Sequence, residues 1–273
     1  MNIHPTAIVA KGADIADDVK IAPYVVIEDK VTIGRGCEIG PHAYIKSGTT
    51  IGKGCKIHMG VVLGDEPQDL AYKNEKSYVK IGDRNTFREY VTVHKGTKED
   101  TSTTIGNDNY FMAFSHIAHN CSIGNNVIIC NNALLGGYVE VEDKAFISAG
   151  CLVHQFVRIG GLSILAGGVR INKDMPPYMA ADNDNTVTGY NIVGLKRSGL
   201  DLKARSAVKE AYRILYRSGL NLSHALEEVE KQDPPKEVKR LIEFIRSSKR
   251  GICFSRSNRN IESAKDRQNN PSV

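Results

Sequence analysis

No apolar run in the 273-residue chain approaches the ~18 residues that a membrane-spanning helix needs, and the opening MNIHPTAIVAKGAD lacks a basic stretch followed by an apolar one. Neither an export signal nor membrane insertion is expected. The six cysteines, at 37, 55, 121, 130, 151 and 253, include no CxxC pair, which excludes a structural zinc ribbon and favours reduced thiols in a cytoplasmic compartment. A large excess of one charge is also missing, since the net charge is only +5. Its distribution is uneven: residues 196–273 hold 18 Lys+Arg against 10 Asp+Glu, net +8, and the rest hold 18 against 21, net −3. A basic end of this size is either a solvated helical surface or a surface that attracts an acidic partner.

What the chain does have is a repeat. Stepping by six from Ile3 to Ile171 meets a large apolar residue at 26 of 29 positions, and the three exceptions are Asp69, Glu75 and Glu99. A helical period cannot produce that spacing. Glycine often follows the apolar residue, as at Gly34, Gly40, Gly52, Gly82, Gly106 and Gly124, which suggests a tight corner after each inward side chain. Short strands joined by corners predict a parallel β-helix with one triangular coil per 18 residues, its aliphatic columns stacked about 4.8 Å apart. Such a core sets the fold and says little of function.

Segments 64–78 and 98–104 replace apolar positions with charge while keeping the phase, as loops that leave the prism and return would do, and binding residues favour such loops. After Ile171 the pattern ends. MPPYMAADNDNTVTGYN reads as an extended linker, and GLKRSG opens a helical region. Ala204, Val208, Ala211 and Leu215 recur at helical spacing, a second segment follows Asn221, and Asp233–Pro234 resembles a cap ahead of Val238, Leu241, Ile242 and Ile245. The expected division is a β-helix over 1–188, three helices within 189–254, and a polar, unpatterned tail over 255–273 expected to be disordered.

Residues 18 apart stack on one face, so Ile117, Leu135 and Val153 belong to successive coils. Around them stand His116, His119 and Asn120, then Gly136, Gly137 and Tyr138, then His154 and Gln155. Three of the chain's eight histidines on one face exceed what a solvated surface needs. A neutral His119 could take a proton from a hydroxyl or amine attacking an electrophile, and the glycine pair offers unhindered N–H groups for a developing oxyanion. No nucleophile motif accompanies them. The simplest reading is acyl transfer by one base, without a covalent enzyme intermediate.

The hexads with PQDLAY, IGDRN, VTVHKGT, FSHIAHNCSIGNN, NNALLGGYVEV, VHQF, KDMPPY and YNIVGLKRSG, followed by helices, resemble the bacterial UDP-N-acetylglucosamine O-acyltransferases of lipid A biosynthesis across about residues 1–253. The resemblance implies a left-handed parallel β-helix with a C-terminal α-helical domain, assembled as a homotrimer with sites between neighbouring prisms. It makes His119 the base for the sugar 3-hydroxyl or 3-amine and Gly137 the oxyanion donor. It gives Asp69 and His116 to the sugar, Asn191 and Arg197 to the nucleotide end, and His154 with Gln155 to donor and sugar nucleotide. Gly167 and Arg170 would bear on acyl-chain length. The donor would be a 3-hydroxyacyl chain on the phosphopantetheine of acyl carrier protein, an acidic partner for the basic end, and no cofactor or metal would be needed. The chain departs from the family pattern at Asn120, usually aspartate, at Tyr138, commonly histidine, at Val193, commonly glutamate, and at Ala71, commonly lysine. These changes bear on rate and sugar choice.

Three other readings use the same residues. A γ-carbonic anhydrase-like zinc enzyme would draw on His94, His116, His119 and His154, but the HxxH spacing does not match that arrangement and the helical module would be unexplained. A non-catalytic paralogue would account for Asn120 and Tyr138, and a related O- or N-acyltransferase could act on another sugar nucleotide.

Overall fold

The computed structural model describes residues 2–254; the tail expected to be disordered, 255–273, lies outside them. Strands of mostly two residues wind into three parallel sheets of 11, 9 and 8 strands, each sheet one wall of a triangular prism. Register is the direct consequence of the hexad. Asn2 pairs with Lys20, Ile8 with Val26 and Asp14 with Thr32, so each coil sets a residue on the one 18 positions later. The stepped aliphatics point inward, and Ile27, Ile33, Ile45, Ile51, Ile117, Ile129, Leu135 and Ile147 are all essentially inaccessible. A second inward position two residues earlier holds smaller side chains such as Val19, Ala43 and Val127. Cys37, Cys55, Cys121 and Cys151 fill it too, and all six thiols are free and buried. Cys37 and Cys55 donate to the carbonyls of Gly52 and Gly82 in the stacked coil, so these thiols serve packing.

The three hexad exceptions are three expelled hexads. Across the first loop the offset grows from 18 to 30, as Ile57 pairs with Phe87 and Leu63 with Val93, so two hexads containing Asp69 and Glu75 leave the wall. Across the second it is 24, as Phe87 pairs with Phe111 and Val93 with Ile117, so one hexad containing Glu99 leaves. The second loop is shorter than its sequence suggests. Ser102–Ile105 is already a strand, paired residue for residue with Tyr78–Ile81.

The turning residue is not the glycine after the aliphatic. Left-handed φ recurs every six residues at the next corner position, as at Lys30 (59°), Tyr90 (59°), Asn120 (58°), Asn126 (57°) and Tyr138 (58°). The glycine serves close stacking instead: a Cβ on Gly106 would lie 2.5 Å from the Gly124 oxygen of the next coil.

The C-terminal end differs from expectation in three places. The segment read as a linker is an antiparallel hairpin, Met179–Asn183 with Thr186–Tyr190, whose first strand adds to the 11-stranded sheet beside Ile164–Leu165. Four helices follow rather than three: α1 (Ile192–Arg197), α2 (Leu202–Arg217), α3 (Leu222–Glu230) and α4 (Lys236–Arg246). The extra one is the GLKR segment itself. In α4, Pro235 is the capping residue, and Asp233 has φ 43° in the preceding turn instead of capping the helix. Asp201 and Asn221 do cap α2 and α3, accepting from the N–H groups of Ala204 and His224. The anticipated apolar faces of α2 and α4 are buried. Arg240 of α4 joins Glu142 on the prism at 2.9 Å, and buried Asp174 accepts from the Arg158 N–H and the Ser248 hydroxyl. No helix among the described residues is long and apolar enough to cross a membrane.

Candidate active site

The 18-residue register builds the site on the nine-stranded wall. His116 pairs with Leu134, Leu134 with Leu152 and Leu152 with Arg170, giving an outward column that runs from an imidazole through two half-exposed leucines to a guanidinium. Around the adjoining corner stack His119, Gly137 and Gln155, and at the left-handed position Asn120, Tyr138 and Phe156. A groove of about 680 Å³ follows the first two of these columns, while Asn120, Tyr138 and Phe156 line a neighbouring cavity with Arg158 and Arg250. His94, His116, His119, Gly137, His154 and Gln155 line the groove, with Arg170 and Asp184 toward the hairpin.

His119 is nearly buried, and its neighbours define both nitrogens. Nδ1 lies 3.1 Å from Asn120 Oδ1, while Nε2 lies 4.0 Å from Asp69 Oδ2. The first expelled loop turns back over the groove to bring Asp69 there, the other carboxylate oxygen accepting from the Ala71 N–H at 2.9 Å. Gly137 abuts the imidazole so closely that a Cβ would fall 2.3 Å from Cε1 and 2.5 Å from Nε2. Among the described residues no backbone carbonyl accepts the Gly137 N–H, whereas the N–H groups on either side, of Gly136 and Tyr138, are bonded to Val153 and His119. Asn120 Oδ1 also accepts from the Thr97 N–H at 3.0 Å and from Thr97 Oγ1 at 2.9 Å.

His116 and His94 meet edge to face, 4.6 Å between centroids. Burial, reinforced by the His94 and His119 rings, pushes His116 down to about 4, and its Nδ1 pairs with Thr92 Oγ1 at 2.7 Å. Burial likewise lowers His94, against a smaller upward pull from Asp65. Both are neutral imidazoles at pH 7. Among the described residues no three His, Cys, Asp or Glu side chains converge to hold a metal ion.

His154 is more exposed. Its Nδ1 lies 3.1 Å from the Gln155 carbonyl, which also accepts from Arg250 at 2.7 Å. Arg170 closes one end of the groove through contacts of 2.9 Å to Asp184. Gly167 is exposed beyond the groove lining. Asn191 and Arg197 do not line the groove either: Asn191 caps α1 through Gly194 and donates to the Leu162 carbonyl, and Arg197 is exposed in the last turn. The fold thus brings His116, His119, Gly137, His154, Gln155 and Arg170 to one groove on one chain, with Asp69 against His119 and with Asn120 and Tyr138 in the cavity next to it, and leaves the α1 pair outside. Sequence reasoning missed Thr97, which lies within the VTVHKGT motif, and Gln68, beside Asp69 in the groove lining. It also missed Leu134 and Leu152, which the 18-residue register could have found as the outward neighbours of Leu135 and Val153.

Residues 174–253 match the family model described as "Udp N-acetylglucosamine O-acyltransferase; Domain 2", and 30–65 with 102–137 match bacterial transferase hexapeptide repeats. The chain is 46% identical over 257 residues, 92% of its length and 98% of the relative's, to the acyl-[acyl-carrier-protein]–UDP-N-acetylglucosamine O-acyltransferase of Burkholderia orbicola. The chain belongs to this family. Solved structures of UDP-N-acetylglucosamine acyltransferases agree with its fold: that of Bacteroides fragilis gives a TM-score of 0.89 at 42% identity, covering 92% of this chain and 99% of that one. The Francisella novicida enzyme gives 0.89 at 37% identity, with coverage of 94% and 96%.

Proposed function

We propose that the chain transfers a 3-hydroxyacyl group from the phosphopantetheine thioester of acyl carrier protein to the 3-position of UDP-N-acetylglucosamine or its 3-amino analogue, the first step of lipid A biosynthesis. The observation that carries this reading is His119 at the floor of the groove, flanked by Asp69 and packed on Gly137.

In the proposed step His119 Nε2 takes the proton of the sugar hydroxyl as its oxygen attacks the thioester carbonyl. The oxyanion faces the Gly137 N–H, which the fold leaves without a backbone acceptor. Collapse breaks the carbon–sulfur bond, and the imidazolium returns its proton to the departing thiolate. Opposite charge for the imidazolium comes from Asp69, since the amide of Asn120 carries none. Leu134 and Leu152 give the acyl chain an apolar wall that ends at Arg170 and Asp184. Asp69 and His116 hold the sugar, and His154 and Gln155 meet donor and sugar nucleotide. In a homotrimer with sites between prisms, α1 of a neighbouring subunit would present Asn191 and Arg197 to the nucleotide end. The excess of cations after residue 196 suits acidic acyl carrier protein.

The test is a mass-spectrometric transfer assay with 3-hydroxyacyl carrier proteins of increasing chain length and both sugar nucleotides. Product is expected from the wild-type chain and at least about 1,000-fold less from His119→Ala. A folded His119→Ala protein that keeps wild-type turnover refutes the base assignment. No product from wild-type chain with either sugar refutes the activity.

A further inference from the structure

The base assignment above leaves open how a histidine whose sequence neighbour is a neutral amide keeps the correct ring nitrogen free. An amide oxygen and a carboxylate face its two nitrogens. Asp69 Oδ2 stands 4.0 Å from Nε2 and Asn120 Oδ1 stands 3.1 Å from Nδ1. A carboxylate attracts an N–H more strongly than an amide oxygen does. At 4.0 Å Asp69 makes no hydrogen bond to Nε2, but its charge favours a proton there, which would occupy the lone pair the base needs.

The wall of the prism supplies a counterweight. The Thr97 N–H, 3.0 Å from Asn120 Oδ1, is a donor and nothing else, so the atom it meets must be the amide oxygen. Turning the NH₂ toward the ring would break this bond and the one from the Thr97 hydroxyl together, so the amide keeps its oxygen there while both donors are present. Nδ1, facing that oxygen, must carry the hydrogen, and Nε2 holds the lone pair. Thr97 Oγ1 lies 2.9 Å from the same oxygen and 3.0 Å from Tyr138 Oη. Having donated to the amide oxygen, this hydroxyl accepts from the phenol. The whole series then has one polarity: the phenol donates to the threonine hydroxyl, that hydroxyl to the amide oxygen, and His119 Nδ1–H to the same oxygen from the other side.

The anchoring groups are held independently. Thr97 is buried where the chain leaves the wall for the second loop. The Tyr138 ring stacks on Phe156 at 4.9 Å and meets the His119 ring edge on at 5.4 Å. The Asn120 N–H donates to Thr103 Oγ1 at 2.8 Å, which fixes the backbone from which the amide projects. Both Asn120 and Tyr138 occupy left-handed corners one coil apart, so the 18-residue register itself brings phenol and amide to the same threonine.

We propose that Thr97 and Tyr138 are positioning residues that, through Asn120, hold His119 in the Nδ1–H tautomer against the pull of Asp69. The inference rests on the reading of His119 as the base. Its test includes a readout that does not need turnover: the tautomer of His119 in ¹⁵N-histidine-labelled full-length protein, observed by long-range ¹H–¹⁵N correlation at a pH where the ring is neutral. Wild-type protein is expected to show Nδ1–H. Thr97→Val, which keeps the backbone donor and removes the hydroxyl, is expected to shift population toward Nε2–H and to lower kcat about tenfold with KM little changed. Tyr138→Phe is expected to act in the same direction and more weakly, and the double variant to be no worse than Thr97→Val, because the phenol works only through that hydroxyl. Thr97→Ser keeps the hydroxyl and is expected to restore the wild-type tautomer, separating hydrogen bonding from packing. An Nε2–H tautomer in wild-type protein, or an unchanged tautomer in Thr97→Val, overturns the proposal even if His119 is the base. An unchanged rate in His119→Ala overturns the base reading and leaves the tautomer result standing by itself.

Discussion

His119 and Gly137 sit one coil apart and pack directly against each other in the groove lining. Because a Cβ on Gly137 would fall 2.3 Å from the ring, Gly137→Ala must displace either the imidazole or the glycine backbone. Either movement separates the base from the N–H that would meet the oxyanion, and misplacement by about 1 Å costs on the order of 100-fold in rate. The expected result is a fall of about that size in kcat with only a small change in melting temperature. Steady-state kinetics beside a thermal melt would check it. Activity within about threefold of wild type would show that the ring yields to the added methyl without losing its alignment with the N–H donor.

At the scale of the strand and corner, the hexad made the prism readable, and stacking made most of the groove readable, because a fixed 18-residue offset converts sequence distance into position. Legibility ended where the offset changed. Asp69 reaches His119, and Thr97 reaches Asn120, only because expelled hexads fold back, and nothing in a periodic pattern says where an expelled segment lands. The hairpin after Ile171 was missed for a related reason, its short strands alternating around Asp184 and Asn185 with too few strong apolar residues to stand out. Glycine was found correctly and explained wrongly, since the left-handed corner lies elsewhere in the hexad. The two glycine positions therefore respond differently to substitution. At Gly106 an added Cβ meets backbone of the next coil at 2.5 Å, so Gly106→Ala and Gly106→Asn are both expected to cost about 1–3 kcal/mol as overpacking. At Gly168, φ is 73° with nothing within 4 Å, so the cost is backbone strain alone. There Gly168→Asn is expected to lose a few tenths of a kcal/mol and Gly168→Ala about 1 kcal/mol. Denaturant melts of the four variants decide the matter, and equal losses for alanine and asparagine at Gly168 would contradict the assignment of strain to that corner.

For the whole molecule, the buried histidine pair makes folding stability depend on pH in a range where most carboxylates are still ionised. Burial, with His94 and His119 nearby, places His116 at about 4, below the ordinary value near 6.5 that it regains on unfolding. Between these two values the unfolded chain binds the proton and the folded chain does not. Stability consequently rises with pH through that interval and falls as the solution is acidified from about 6.5 toward 4. One group shifted this far removes on the order of 3 kcal/mol across the interval, and His94, lowered in the same direction, adds to the slope. Below about 4 the folded protein also takes up the proton at His116, and further losses belong to carboxylates. His116→Gln removes the titrating ring and keeps a side chain able to bond Thr92 Oγ1, which now stands 2.7 Å from His116 Nδ1. Melting temperatures of the two proteins, measured at constant ionic strength from pH 7 to pH 4, should diverge most at neutral pH and converge toward pH 4, the variant giving the flatter curve. Parallel curves would mean that His116 titrates at its ordinary value and that the groove wall is open to water at this point. Since His116 and His119 share one corner of the groove, that result would also weaken the case for a dry setting in which a neutral base and a single N–H donor suffice for acyl transfer.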